Sequence, residues 1–130
     1  MASVANPNGR LILVVDDHPI ILRSITAILA MAGYRVIVAE NGAAGLQAFL
    51  DCPGEIDLVL ADVVMPGMDG IEMSAQIKKH RPDAAIVLMS GYSQTVIEAL
   101  HGEKFSLIRK PFLPDDLILL VKAKIIPPTA

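Results

Sequence analysis

Three aspartates, one serine and one lysine carry the chemistry this sequence can do. Asp16 and Asp17 follow an apolar run over residues 11–15, and Asp62 ends a second run over 58–61. Ser90 follows a third run, closing at Met89, and Lys110 follows a fourth, closing at Arg109. A carboxylate at the end of a buried run is rare unless it is paired or bound to a metal. Singly, each residue has a plain explanation: Asp17 as a helix cap, Ser90 as the start of a turn, Lys110 as a solvated side chain. Brought together, three close carboxylates repel, so either some take up protons or a cation neutralises them. One divalent ion and the Lys110 ammonium balance three negative charges. Mg2+ suits the set best, because it binds one or two carboxylates, keeps waters and accepts a phosphate as a further ligand. Calcium wants more protein oxygens than these positions offer. A carboxylate beside such an ion and an ammonium can attack phosphorus and become an acyl phosphate. Asp62 is the expected nucleophile, with Ser90 offering a hydrogen bond to the new phosphoryl oxygens.

These residues meet only if the intervening elements bring them to one place. Residues 11–15 read as a strand, followed by a helix from Pro19 to Ala32 that closes at Gly33. Proline at the first helical position and glycine just past the last are the expected punctuation. A strand over 34–39 and a helix over 43–51, ended by Pro53-Gly54, come next. The strand over 58–61 precedes a helix from Ile71 to His80, stopped near Pro82. A strand over 85–89, a weaker helical stretch over 94–100, a strand over 105–109 and a helix from Pro114 to Ile126 complete the chain. Five strand–helix units predict an α/β fold: a doubly wound, parallel five-stranded sheet with helices on both faces. In such sheets the site lies at the carboxyl ends of the strands, where all five residues fall. The end of the second strand, Ala39-Glu40, is left out of the site. Residues 1–9 read as a disordered leader, 10–126 as one domain and 127–130 as a tail.

Composition narrows the function classes. Of 130 residues, 53% are hydrophobic and 19% charged, with a mean hydropathy of +0.53. The longest uninterrupted apolar stretch, residues 84–89, is far short of the roughly 18 needed to span a bilayer, so no membrane segment is expected. Short apolar blocks instead suit strands buried on both faces. The start, "MASVANPNGR", has no basic segment leading into an apolar one, so it does not read as a signal peptide. Net charge is −3, from 11 basic and 14 acidic residues, with no basic stripe; direct nucleic-acid binding is not expected. The cluster Lys78-Lys79-His80-Arg81 reads as a solvated helix end, where cations complement the dipole. Cys52 is alone, which excludes a disulfide framework and suits a reducing cytoplasm. His18, His80 and His101 show no metal-ligand spacing with one another or with Cys52, and read as solvent-facing or capping residues. The turn after the first strand, "DDHP", holds two anions and a proline rather than the amide-rich Gly turn of a flavin or dinucleotide binder. A Walker-type loop is absent too.

"ILVVDDHP", "DLVLADVVMPGMDG", "IVLMSGYS" and "LIRKPF", in this order and spacing, resemble the receiver domain of bacterial two-component response regulators, the CheY-like family. The resemblance covers about residues 10–126. It implies the flavodoxin-like strand order and a phosphoacceptor role for Asp62, supplied by a histidine kinase or histidine phosphotransfer protein. It further implies that Asp17 binds Mg2+ directly, that Asp16 acts mostly through water, and that the backbone carbonyl of Val64 completes the protein's share of the metal shell. Ser90 would be the switch hydroxyl, Lys110 the ion-pairing lysine, and the Lys110–Pro111 bond would be cis. Such a domain regulates rather than turning over substrate, although it assists its own phosphorylation and dephosphorylation. The family's frequent Tyr or Phe three residues before the lysine is Leu107 here, a departure from the usual aromatic coupling of site to surface. Val64 and Tyr92 occupy positions that tune how long the phosphoryl group survives in family members. "SGYS" with "KPF" resembles receivers of hybrid histidine kinases as well as stand-alone regulators, so a piece of a longer protein is one expectation. A phosphorylation-independent interaction module is the alternative, disfavoured because all five site residues are intact. An aspartyl-nucleophile phosphatase of the haloacid-dehalogenase type would place D-x-D after the first strand, unlike the adjacent pair here.

Surplus apolar residues point to partners. The helix over 19–32 is apolar nearly all round; Ile21, Ile25, Ile28, Leu29 and Ala32 suffice for the core, leaving Ile20, Leu22, Ala27 and Met31 toward solvent. In receivers this helix docks the bundle carrying the phosphodonor histidine. In the last helix Leu117, Val121 and Ile125 form one stripe, with Ile118, Leu119 and Ile126 outside it. Those three are read either as a homodimer or neighbouring-domain contact or as ordinary scattered surface residues.

Overall fold

The computed structural model describes residues 9–125. The expected leader and tail, apart from Gly9, lie outside the described residues. Strand β1 (Leu11–Val15) leads to α1 (Pro19–Met31), β2 (Arg35–Ala39), α2 (Gly42–Asp51) and β3 (Ile56–Asp62). Helix α3 (Gly70–His80), β4 (Ile86–Ser90), α4 (Gln94–His101), β5 (Leu107–Arg109) and α5 (Pro114–Lys124) follow. The five strands form one sheet in the order β2-β1-β3-β4-β5, every pair parallel. This is the doubly wound, flavodoxin-like α/β arrangement expected from the alternating pattern.

The near-continuous apolar runs are explained by burial on both sides. All five residues of β1 are buried, because successive side chains point to opposite faces and helices cover each. Leu11, Leu13 and Val15 join Val59, Ala61, Met73, Ile77, Leu88 and Ile97 under α2, α3 and α4. Ile12 and Val14 join Leu22, Ile25, Leu29, Leu58, Leu60, Leu117 and Val121 under α1 and α5. Short polar side chains start the middle helices: Asn41, Asp69 and Ser93 accept the N–H groups of Ala44, Glu72 and Val96. Proline occupies the first turn of α1 and α5, and Gly33 and Gly102 take positive φ just past α1 and at the end of α4.

Four expectations need correction. Strand β3 is longer than residues 58–61, so Asp62 is itself a strand residue. Strand β5 is shorter than 105–109, because as an edge strand it pairs only with Leu88–Ser90 of β4. Leu22 is 6% exposed and packs in the core; a helix apolar on all sides has no period to fix its phase, and contact with the sheet sets it. Arg81 is no merely solvated helix end: its Nη1 donates to the Ile56 carbonyl at 2.9 Å, pinning α3 to the start of β3. On α5 the stripe Leu117, Val121 and Ile125 is buried as expected, Leu119 is exposed and Ile118 half-buried. Among the described residues no helix is long and apolar enough to cross a membrane.

Candidate functional site

Sheet register gathers the site. Val15 stands opposite Ala61, so one residue further Asp16 and Asp62 leave neighbouring strands side by side. Asp62 itself pairs with Met89, which puts Ser90 at the next strand end. Ser90 pairs with Arg109, and the Lys110 N–H donates to the Ser90 carbonyl at 2.8 Å, which fixes where the lysine leaves β5. The Lys110–Pro111 bond is cis. Parallel pairing makes all these ends point the same way, so residues far apart in sequence converge.

The Lys110 ammonium bridges two strands, with Nζ 3.2 Å from Asp16 Oδ2 and 3.1 Å from Asp62 Oδ2. Asp16 is fully buried and Asp62 nearly so. Its remaining oxygen, Asp62 Oδ1, accepts only a long bond from the Val64 N–H at 3.3 Å. Burial raises the Asp62 pKa above the ordinary carboxylate value; Lys110 opposes that shift and Asp16 adds to it. Ser90 Oγ accepts the Tyr92 N–H at 2.9 Å, which leaves its own proton for another acceptor. Val64 and Tyr92 are both largely exposed.

Asp16, Asp17, His18 and Asp62 each offer a ligand atom, and these atoms lie within 4.8 Å of one another. Asp17 Oδ1 is sheltered from solvent and accepts no hydrogen bond, its nearest cationic contact being His18 Nδ1 at 3.3 Å without bonding geometry. A sheltered carboxylate oxygen with no donor, among further carboxylates, fits a hard divalent cation. The donor set therefore suits Mg2+.

Three residues escaped the sequence reading, two at the site and one at the far end of β3. His18 is exposed, as expected, but its side chain caps nothing and its Nδ1 lies 3.0 Å from Asp16 Oδ1. Those carboxylates raise its pKa, led by the hydrogen bond to Asp16. Adjacency to the acid pair is the signal in the sequence that points to this contact. Gly70 starts α3 directly against the carboxyl end of β3: a Cβ there would collide with the Asp62 backbone carbonyl. Asp57, at the opposite end of β3, accepts the Leu11 N–H at 2.8 Å and Arg10 Nη1 at 3.4 Å.

Comparisons with known proteins agree with this geometry. The response regulator receiver domain family matches residues 12–122. The regulatory protein AtoC of Escherichia coli (strain K12) is 35% identical over 113 residues, 85% of this chain and 24% of AtoC. The sensor kinase CckA of Brucella abortus (strain 2308) is 32% identical over 113 residues, 85% of this chain and 12% of CckA. This chain thus spans less than a quarter of either protein's length. The crystal structure of response regulator protein TrrA from Thermotoga maritima, in complex with Mg2+–BeF, superimposes with a TM-score of 0.78 at 36% identity, covering 88% of this chain and 97% of that one. A family match across most of the chain, a shared fold and an acid cluster at the strand ends agree: the chain belongs to the response regulator receiver domain family of two-component systems.

Proposed function

We propose that this domain accepts a phosphoryl group on Asp62 from a phosphohistidine of a histidine kinase or phosphotransfer protein. The observation that carries the reading is the Lys110 bridge, 3.2 Å from Asp16 and 3.1 Å from Asp62, which leaves Asp62 Oδ1 held only by the long bond from the Val64 N–H. Asp62 Oδ1 attacks phosphorus as the phosphorus–nitrogen bond to the donor imidazole breaks, and an acyl phosphate forms. Lys110 favours the ionised form of Asp62 and offsets part of the cost of burial, then pairs with the charge of the product. Asp17 and Asp62 would hold Mg2+ directly, with the Val64 carbonyl as a third oxygen and Asp16 acting through water. When bound, that ion neutralises charge developing on the phosphoryl oxygens. The Ser90 hydroxyl donates to a phosphoryl oxygen and so reports phosphorylation to the loop that follows β4.

The donor docks beside these strand ends. Ile20 is 68% exposed. An apolar cleft of about 430 Å³ runs between α1 and the loop after β5, lined by Ile21, Ile25, Ile28, Pro111 and Phe112. Leu22, being buried, is not part of the surface. Exposed Leu119 on α5 supports a contact with a second copy or a neighbouring domain, and Leu107 in place of an aromatic residue points to coupling through backbone and loop shifts. Residues 10–126 act as the unit, in the cytoplasm where the donors work.

Incubation with Mg2+ and a small phosphodonor, or with beryllium fluoride, tests the reading. Wild type is expected to respond in a Mg2+-dependent way and Asp62→Asn not at all. No response in wild type would favour a phosphorylation-independent interaction module, and steady turnover of varied phosphate esters a phosphatase. For docking, Ile20→Glu is expected to slow transfer from a phosphohistidine donor and spare labelling by a small phosphodonor; equal loss in both assays would remove α1 as the docking face.

A further inference from the structure

His18 follows the acidic pair directly, and the phosphoryl chemistry above does not use it. It stands at the N-cap of α1 yet its side chain caps nothing. The ring turns back instead, placing Nδ1 3.0 Å from Asp16 Oδ1 and 3.3 Å from Asp17 Oδ1. The second of these is the sheltered oxygen with no hydrogen bond. The side chain is 62% exposed, so burial does not force this pose. Two donors bound side by side to one six-coordinate ion at about 2.1 Å stand roughly 3 Å apart. The nitrogen and the Asp17 oxygen already have close to that spacing, and Asp16 and Asp62 complete a group whose ligand atoms lie within 4.8 Å of one another.

We propose that His18 Nδ1 is a ligand of the divalent ion at this site, and that it moves the preference of the site from Mg2+ toward divalent transition ions, of which Mn2+ is the probe. The inference rests on the metal reading given under the proposed function and adds a nitrogen donor to an otherwise oxygen set. Imidazole favours transition ions, whereas carboxylate and water favour Mg2+ and Mn2+ alike. Mn2+ therefore keeps every oxygen contact that Mg2+ makes and gains the ring nitrogen. The rival role for the ring is an imidazolium paired with Asp16, a cation that any metal must displace.

Pulsed electron paramagnetic resonance of the full chain loaded with Mn2+ separates the two roles. Modulation from one imidazole nitrogen is expected in wild type and lost in His18→Ala, a change at an exposed side chain that leaves the core intact. By calorimetry, His18→Ala is expected to weaken Mn2+ binding by about 10–100-fold and Mg2+ binding far less. Mn2+ bound without nitrogen coupling overturns the proposal and leaves the Mg2+ reading standing. An equal gain in affinity for both ions in His18→Ala, the mark of a displaced imidazolium, overturns it too. If wild type binds neither ion, the metal reading fails and this inference with it.

Discussion

The two ends of β3 carry one aspartate each, and the two have opposite fates. Asp57, at the amino end, is 28% exposed at its side chain and its carboxylate is met by a backbone N–H and a guanidinium. It joins β3 to the residue that opens β1. Asp62, at the carboxyl end, is 8% exposed at its side chain and shares its single cation with Asp16. Both flank the same apolar stretch, and both close a hydrogen-bonded contact between strands. The difference lies in supply. At the amino end the donors meet the carboxylate's demand; at the carboxyl end three carboxylates outnumber one ammonium. An under-supplied acid cluster is a site, and a satisfied acid is a clamp.

Removing each acid should separate the two most sharply. Asp62→Asn is expected to abolish phosphoryl incorporation from a small phosphodonor, read on a phosphate-affinity gel, while Asp57→Ala keeps it. Lys110→Met comes next. It takes away the one ammonium facing the developing charge, and the labelling rate is expected to fall by about 10²-fold or more.

Stability offers two further contrasts. Gly70→Ala forces a methyl group into the Asp62 carbonyl, and is expected to cost about 1–3 kcal/mol in urea unfolding and to slow labelling as well. Asp57→Ala leaves the Leu11 N–H without its acceptor and is expected to cost about 1–2 kcal/mol, with no change in labelling rate. A clamp that altered labelling, or a glycine that did not, would erase the distinction between the two strand ends.

The smallest effect is in pH. Burial holds the Asp62 pKa above its value in the unfolded chain, so the native state binds the proton more tightly. In metal-free buffer, the stability that Asp62 contributes should therefore be complete below the ordinary aspartate pKa and be lost as pH rises from there through the raised pKa. Asp62→Asn should lack this fall and melt higher than wild type at neutral pH. For the same reason, acidification should weaken Mg2+ binding from a higher pH than an unperturbed aspartate would give. A wild type that lost no stability over that interval would show that Lys110 outweighs desolvation.

The alternation of strand and helix, the positions of the strand ends and the five residues placed there were readable because each depends on local pattern. A run of β-branched and aliphatic residues, a proline at a helix start or a carboxylate after an apolar run needs no knowledge of its neighbours. Leu22 was misplaced for a different reason. A helix with apolar residues on every side carries no periodic contrast, and only packing on the sheet and beside α5 sets which ones are buried. His18, Gly70 and Asp57 were missed because their roles are relations between elements: a ring against two carboxylates, a missing methyl against a carbonyl, an acid against another strand's N–H.

The sequence by itself determined the alternating elements, the apolar content that buries a parallel sheet on both faces, and which side chains leave the strand tips. Tertiary structure alone decided how those tips align, and so the 3.1 Å contact that ties Lys110 to an acid 48 residues away. Local preferences act over a turn or a few residues, whereas strand register is set by the packing of the whole sheet between its two helical layers.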